Sequence, residues 1–216
     1  MSTSSSRSSF AQAIALIGIA AMLFAAGHAA LTREGVVQWL TPGIAVVYVL
    51  WVLSEWRITT ATESQDTRTD RYTCEAYASA RFLTMLAAFL PDALWSGTGP
   101  WLPVGLAVFA AGIALRGWAI VTLGRAYSHR VRTPEGVGIV SHGPYRVLRH
   151  PAYTGMLLAH VGIAVLFFNV YVLLALGLAL VPALVRRIRV EEAHLLSLPG
   201  YSEFAAVRAR LAPGVW

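Results

Sequence analysis

Six runs of apolar residues alternate with shorter polar connections along this chain. They lie at Phe10 to Ala30, Gly43 to Trp56, Tyr77 to Trp95, Leu102 to Leu123, Ala152 to Phe168 and Val170 to Val185. Runs of this length match the hydrocarbon core of a bilayer, which takes about 20 helical residues to cross. The pattern predicts an all-α, polytopic integral membrane protein of about six transmembrane helices, with five to seven as the bounds. The second and third runs are the weakest. The third begins with Arg81 and is broken by Pro91 and Asp92, so one of the two could lie tilted or at the interface. The last two runs, turning at Asn169, form a C-terminal helical hairpin.

No internal repeat and no soluble domain is visible, and the stretch from Thr59 to Thr73 reads as a polar cytoplasmic loop. The chain is expected to form one membrane domain. Residues 1–111 hold the first spans and this loop, and residues 112–216 hold the chemistry.

The connections give the topology through the excess of arginine on cytoplasmic loops. Odd-numbered loops hold Arg33 and then none. Even-numbered loops and the tail hold Arg57, Arg68, Arg71 and Arg81, then Arg125, Arg130, Arg132, Arg146 and Arg149, then Arg186, Arg187, Arg189, Arg208 and Arg210. Both termini are therefore expected in the cytosol. The serine-rich start, with Arg7 and the small residues Ala26 to Ala30, also resembles a cleavable signal peptide. Its removal would leave five spans and the same cytoplasmic C-terminus.

Composition supports the membrane reading. The 216 residues are 56% hydrophobic and 13% charged, against about 25% charged in soluble proteins. All 17 basic residues are arginine, and with 11 acidic residues they give a net charge of +6. No basic stretch is free of adjoining spans, so the charge points to membrane topology and not to nucleic acid. Cys74 is the single cysteine, which excludes an internal disulfide and a cysteine-only metal site. Metal chemistry has no support. There is no H-E-x-x-H, and His142 and His150 are eight apart without a third ligand at helical spacing. Gly136 and Gly138 form a G-x-G without the third glycine or the flanking strand of a dinucleotide site, and that reading is set aside.

Polar chemistry gathers at the two feet of the hairpin. His150 precedes Pro151, which drives it out of the helical region, while a proline suits a helix's first turn. The fifth span should start there, with backbone N–H groups near Ala152 and Tyr153 open to an anion. Simple anchoring of Arg149 and His150 at the headgroups is the alternative, opposed by the tight turn and aromatic of Gly143, Pro144 and Tyr145 just upstream.

At the other foot, Arg187 and Glu191 stand four apart on one helical face, with Leu195 a turn further on. From periodicity alone this is an ordinary intrahelical ion pair; its return beside His150 and Tyr153 argues for more. Arg116 lies inside the fourth span and either faces protein or a wet cavity or snorkels outward. His28 and His160 are expected to be satisfied core histidines.

Taken in order, these residues resemble the isoprenylcysteine carboxyl methyltransferase family, related to the membrane phospholipid methyltransferases. The resemblance runs from Gly112 to Pro213. It rests on Leu115-Arg116, Leu123-Gly124, Ile139-Val140 ahead of Gly143-x-Tyr145, Arg149-His150-Pro151-x-Tyr153-x-Gly155, Asn169, Arg187 with Glu191-Glu192 and Leu195, and Gly200-Tyr201.

The resemblance implies S-adenosylmethionine entering from the cytosol and a lipid-like acceptor entering from the bilayer. Ile139, Val140, Tyr145, His150, Pro151, Ala152, Tyr153 and Glu191 correspond to the cofactor shell. Arg187 corresponds to the residue that meets the acceptor, and Arg116 is placed on the acceptor side with it. Arg187, Glu191 and His150 are the catalytic candidates. Acceptors consistent with this are a prenylcysteine-type carboxylate, a phenolic polyketide lipid or a phospholipid amine; a hydroxyl or amine would need a base, with His150 or Glu192 the first candidates. A non-enzymatic transporter or assembly factor on the same scaffold is the alternative of a different class. The arginine-rich run from Arg125 to Gly136 departs from the family pattern and carries no site assignment.

Overall fold

The computed structural model describes residues 3–60, 72–90, 92, 99–124, 127, 138–214 and 216. Most of the Thr59 to Thr73 loop and, apart from Tyr127, the run from Arg125 to Gly136 lie outside the described residues. So do Arg68, Arg71, Arg125, Arg130, Arg132 and the side chain of Arg57, together with much of the topology argument they carried.

Among the described residues every regular element is helical. The long helices are α1 (Thr3–Thr32), α2 (Val36–Thr60), α3 (Thr73–Phe89), α4 (Trp101–Leu123), α5 (Pro151–Leu166) and α6 (Val170–Leu195), and a short α7 (Tyr201–Ala206) follows. Segments of α1, α2, α4 and α6 are long and apolar enough to cross a membrane, and α5 is a shorter apolar helix of 16 residues. α3, 17 residues long, buries Glu75 and Arg81 among its apolar residues. Six helices thus answer to the six apolar runs.

Glycines decide how α4 meets α5. A Cβ at Gly112 would lie 2.3 Å from the Ala159 nitrogen, one at Gly155 2.6 Å from the Arg116 nitrogen, and one at Gly162 2.4 Å from the Phe109 nitrogen. Real side chains do not fit there, so the two backbones touch, as small residues allow in lipid where hydrophobicity drives no helix together. This contact brings the Arg116 guanidinium to the first turn of α5, where Nη1 donates to the Ala152 carbonyl at 3.1 Å.

The hairpin turn is built by Asn169. Its Oδ1 accepts from the Val172 N–H at 2.9 Å, and its Nδ2 donates to the carbonyls of Phe167 at 2.9 Å and Ala87 at 3.1 Å, tying the turn to α3. Within α6, residues Ala175–Leu180 widen into π-helix just before Pro182. A proline lacks the N–H that closes the turn behind it and crowds that turn's carbonyl, which a wider turn relieves. Arg33 donates through Nη2 to the Phe89 carbonyl at 2.6 Å. The α1–α2 connection, the end of α3 and the Asn169 turn therefore share one end of the bundle.

The opposite end holds the tail. Leu148 and Ala209 form a parallel bridge, the Arg149 N–H donates to the Ala209 carbonyl at 2.8 Å and the His150 N–H to the Arg210 carbonyl at 3.1 Å. One expectation fails here. His28 is exposed on α1 beside Thr32, because it is turned away from the face that carries the buried Ala25, Ala26 and Ala29, whereas His160 is fully buried.

Candidate active site

His150 stands just outside the helical region at φ −126° and ψ 55°, and Pro151 starts the helix. The anion site expected at the start of α5 is changed by this geometry: the Tyr153 N–H donates to the His150 carbonyl at 3.0 Å, which tightens the first turn and removes one of the two expected donors. The His150 ring is also engaged, with Nε2 3.2 Å from Glu192 Oε1.

The two neighbouring carboxylates of α6 diverge as helical geometry requires, one residue being about a hundred degrees of rotation. Glu191, half-buried, accepts from the Tyr153 hydroxyl at 2.6 Å. That hydroxyl accepts in turn from Arg187 Nε at 3.1 Å, so Arg187 and Glu191 are joined across the helix pair through one phenol. Arg187 is only 2% exposed, and its Nη1 donates to the Thr73 hydroxyl at 2.9 Å. Glu192 turns to the tail, accepting from Arg149 Nη1 at 3.2 Å and Arg210 Nε at 2.6 Å beside His150.

Beside this polar line lies a small apolar cluster. It holds the buried Ala119, Tyr145, Ala152, Tyr201 and Phe204, with Ile139 and Val140 packed against them. Pro151 is buried at its edge. Burial pushes the Tyr145 phenol up, and the Glu191 carboxylate adds to the effect. Burial raises the Tyr201 phenol as well, with Glu192 and Glu191 contributing. Both phenols stay neutral at physiological pH. The Tyr201 hydroxyl is buried without a hydrogen-bond partner among the described residues.

The structure thus brings Ile139, Val140, Tyr145, His150, Pro151, Ala152, Tyr153, Arg187 and Glu191 to one end of the bundle. Arg116 is nearby but engaged: Nε and Nη2 hold Glu55 as a two-point pair, the latter at 2.9 Å, and Nη2 also reaches the Tyr127 hydroxyl at 3.4 Å. The same Glu55 lies 3.5 Å from Arg81 Nη1, and Arg81 Nε donates to the Tyr48 hydroxyl at 3.2 Å. Tyr48 stands 3.3 Å from His160 Nε2, whose Nδ1 meets the Met156 carbonyl at 2.9 Å.

Sequence reasoning missed Glu55, Thr73, Tyr127 and Arg210. The first had a usable signal, since an acid closing one apolar run and an arginine opening the next are expected to pair inside a membrane. Thr73, Tyr127 and Arg210 had none, because what they touch is set by contacts far apart in the chain.

Residues 104–197 match the family described as isoprenylcysteine carboxyl methyltransferase. The chain is 33% identical over 146 residues to protein-S-isoprenylcysteine O-methyltransferase A of Arabidopsis thaliana, covering 64% of this chain and 74% of that protein. It is 36% identical over 106 residues to a probable protein-S-isoprenylcysteine O-methyltransferase of Oryza sativa subsp. indica, covering 47% and 56%. It is 35% identical over 103 residues to protein-S-isoprenylcysteine O-methyltransferase of Tribolium castaneum, covering 46% and 37%. For the rice and beetle proteins the match thus spans less than two thirds of the relative's length.

Proposed function

The chain belongs to the isoprenylcysteine carboxyl methyltransferase family, and on that footing we propose that it is a membrane methyltransferase that uses S-adenosylmethionine to O-methylate the carboxylate of an isoprenylcysteine-like amphiphile. The observation that carries this reading is the single Tyr153 hydroxyl standing between a carboxylate and a guanidinium, Glu191 on one side and Arg187 on the other. A cation-bearing cofactor and an anionic acceptor need those two charges side by side.

The residues present fit the cofactor. Glu191 offers a half-buried carboxylate with tyrosine neighbours, the surroundings a sulfonium favours. Ile139, Val140, Tyr145, Pro151 and Ala152 offer apolar cover, and the buried Tyr201 hydroxyl offers a polar atom with no partner among the described residues. Once bound there, S-adenosylmethionine supplies a methyl group on a positively charged sulfur. Tyr153 fixes the direction of Glu191, and the α6 helix fixes Glu191 relative to Arg187. Arg187, always protonated and fork-shaped, orients the acceptor oxygen. A carboxylate acceptor has no proton to lose, so no base is required and positioning supplies much of the rate. His150, held by Glu192, acts as a positioning residue here. Arg116, tied to Glu55 and to the Ala152 carbonyl, holds the α5 start in place for the acceptor. The site faces the cytosol, with both termini on that side.

Methyl transfer from labelled S-adenosylmethionine to a prenylated cysteine, an alkylresorcinol and phosphatidylethanolamine tests this, with wild type beside Arg187→Lys. Transfer to the prenylated cysteine is expected, and Arg187→Lys should lose most of it while retaining cofactor binding, because a point-charge ammonium cannot reproduce the fork. Transfer to the phenolic lipid alone, with a pH profile that rises as a base titrates, would replace the carboxylate reading.

A further inference from the structure

A second polar cluster lies deeper in the bundle than Arg187, and its α3 residues Tyr77 and Arg81 have no part in the reading above. Thr73, Tyr77 and Arg81 follow one another at four-residue spacing on one face of α3. Thr73 holds Arg187, so Tyr77 and Arg81 stand one and two turns further into the membrane. The Tyr77 ring meets the Tyr153 ring edge to face, with centroids 5.8 Å apart. Arg81 sits among the rings of Trp51, Tyr48 and Tyr77, its guanidinium carbon 5.3, 5.6 and 5.8 Å from their centroids.

Two features of this cluster are incomplete. The Tyr77 hydroxyl and Arg81 Nη2 are both buried with no hydrogen-bond partner among the described residues. Among the described residues the charges also do not cancel, since the guanidinium groups of Arg81 and Arg116 both pair with the carboxylate of Glu55. A surplus positive charge with two unused donors is costly in an apolar interior, and an anion that arrives from outside relieves both deficits at once.

We propose that Tyr77 and Arg81 form a capture subsite for the acceptor's carboxylate, on its way from the bilayer to Arg187. The inference rests on the methyltransferase reading and deepens it by assigning residues of the N-terminal half, outside the family match, to acceptor binding. It has a second consequence. Methylation turns the acceptor's anion into a neutral ester, which no longer balances the cluster, so the subsite retains the acid and lets the ester go.

The test is binding of a prenylated cysteine, and separately of its methyl ester, to the full chain in nanodiscs without cofactor. Wild type is expected to hold the acid more tightly than the ester. Tyr77→Phe should weaken acid binding about tenfold, leave ester binding unchanged, and raise the acceptor KM with little change in kcat or cofactor affinity. Thermal stability should not fall, because the hydroxyl it removes has no hydrogen-bond partner among the described residues. Arg81→Gln should lose more acid affinity and still leave Glu55 paired with Arg116.

Unchanged acid binding in both variants, or equal loss of acid and ester, overturns the subsite. So does displacement of the acid by phosphatidylglycerol in wild type but not in Tyr77→Phe, which would make this a lipid headgroup site. Tight acid binding that depends on Tyr77, without methyl transfer, would instead remove the proposed reaction and leave the subsite standing.

Discussion

Two carboxylates in this protein are each held by two arginines, and their surroundings separate them. Glu55 lies inside the bundle between Arg81 and Arg116, whose side chains are 10% and 2% exposed. Glu192 lies at the site end between Arg149 and Arg210, at 19% and 34%, with His150 beside it. At the site end the surplus charge is partly solvated, and the cluster works as a latch that fastens the C-terminal tail to α5 and α6. In the interior the same arrangement cannot reach water, so every unsatisfied donor there weighs on the fold until something pairs with it.

The largest effect should come from breaking the interior pair. Glu55→Gln leaves two buried guanidinium groups facing no carboxylate, a change expected to cost about 3–5 kcal/mol. Thermal unfolding in detergent micelles measures it, and a variant as stable as wild type would mean that the interior cluster is wetter than its packing implies. Glu192→Gln should cost less, about 1–3 kcal/mol, because Arg210 can turn to solvent. Its signature should be loosening of residues 208–216, read as faster hydrogen exchange at the Arg149 and His150 amides; protected amides in that variant would show the tail is fastened by its backbone bonds alone.

Glu191→Gln sharpens the comparison from the other side, since its carboxylate accepts from the Tyr153 hydroxyl. Folding should be nearly untouched, while S-adenosylmethionine affinity should fall at least about tenfold, or roughly 1.4 kcal/mol. Calorimetry with both variants separates the two neighbours. If Glu192→Gln lost the cofactor and Glu191→Gln kept it, the site would have to be moved to the His150 side of α6.

The sequence by itself determined much of this protein. The apolar runs specify the helices because lipid leaves the backbone no other way to satisfy its hydrogen bonds. Pro151 marks the start of α5 because its ring permits a first turn and forbids the turn before it. The i, i+4 spacing puts Arg187 and Glu191 on one face, and the ordered motifs from Gly112 onward carry the family. What the tertiary structure decided is which groups those side chains use. Glycine contacts between α4 and α5 bring Arg116 to the Ala152 carbonyl, and α2 supplies Glu55 to occupy its fork. His150, expected in the cofactor shell, is itself held by Glu192 and by the backbone of the tail. Tyr153, expected in the cofactor shell, is the bridge between Arg187 and Glu191 of α6. Local pattern fixes a residue's face and depth through chain geometry alone, whereas a buried polar group takes its partner from whichever helix packs against it, and that partner can lie more than a hundred residues away, as Thr73 does from Arg187.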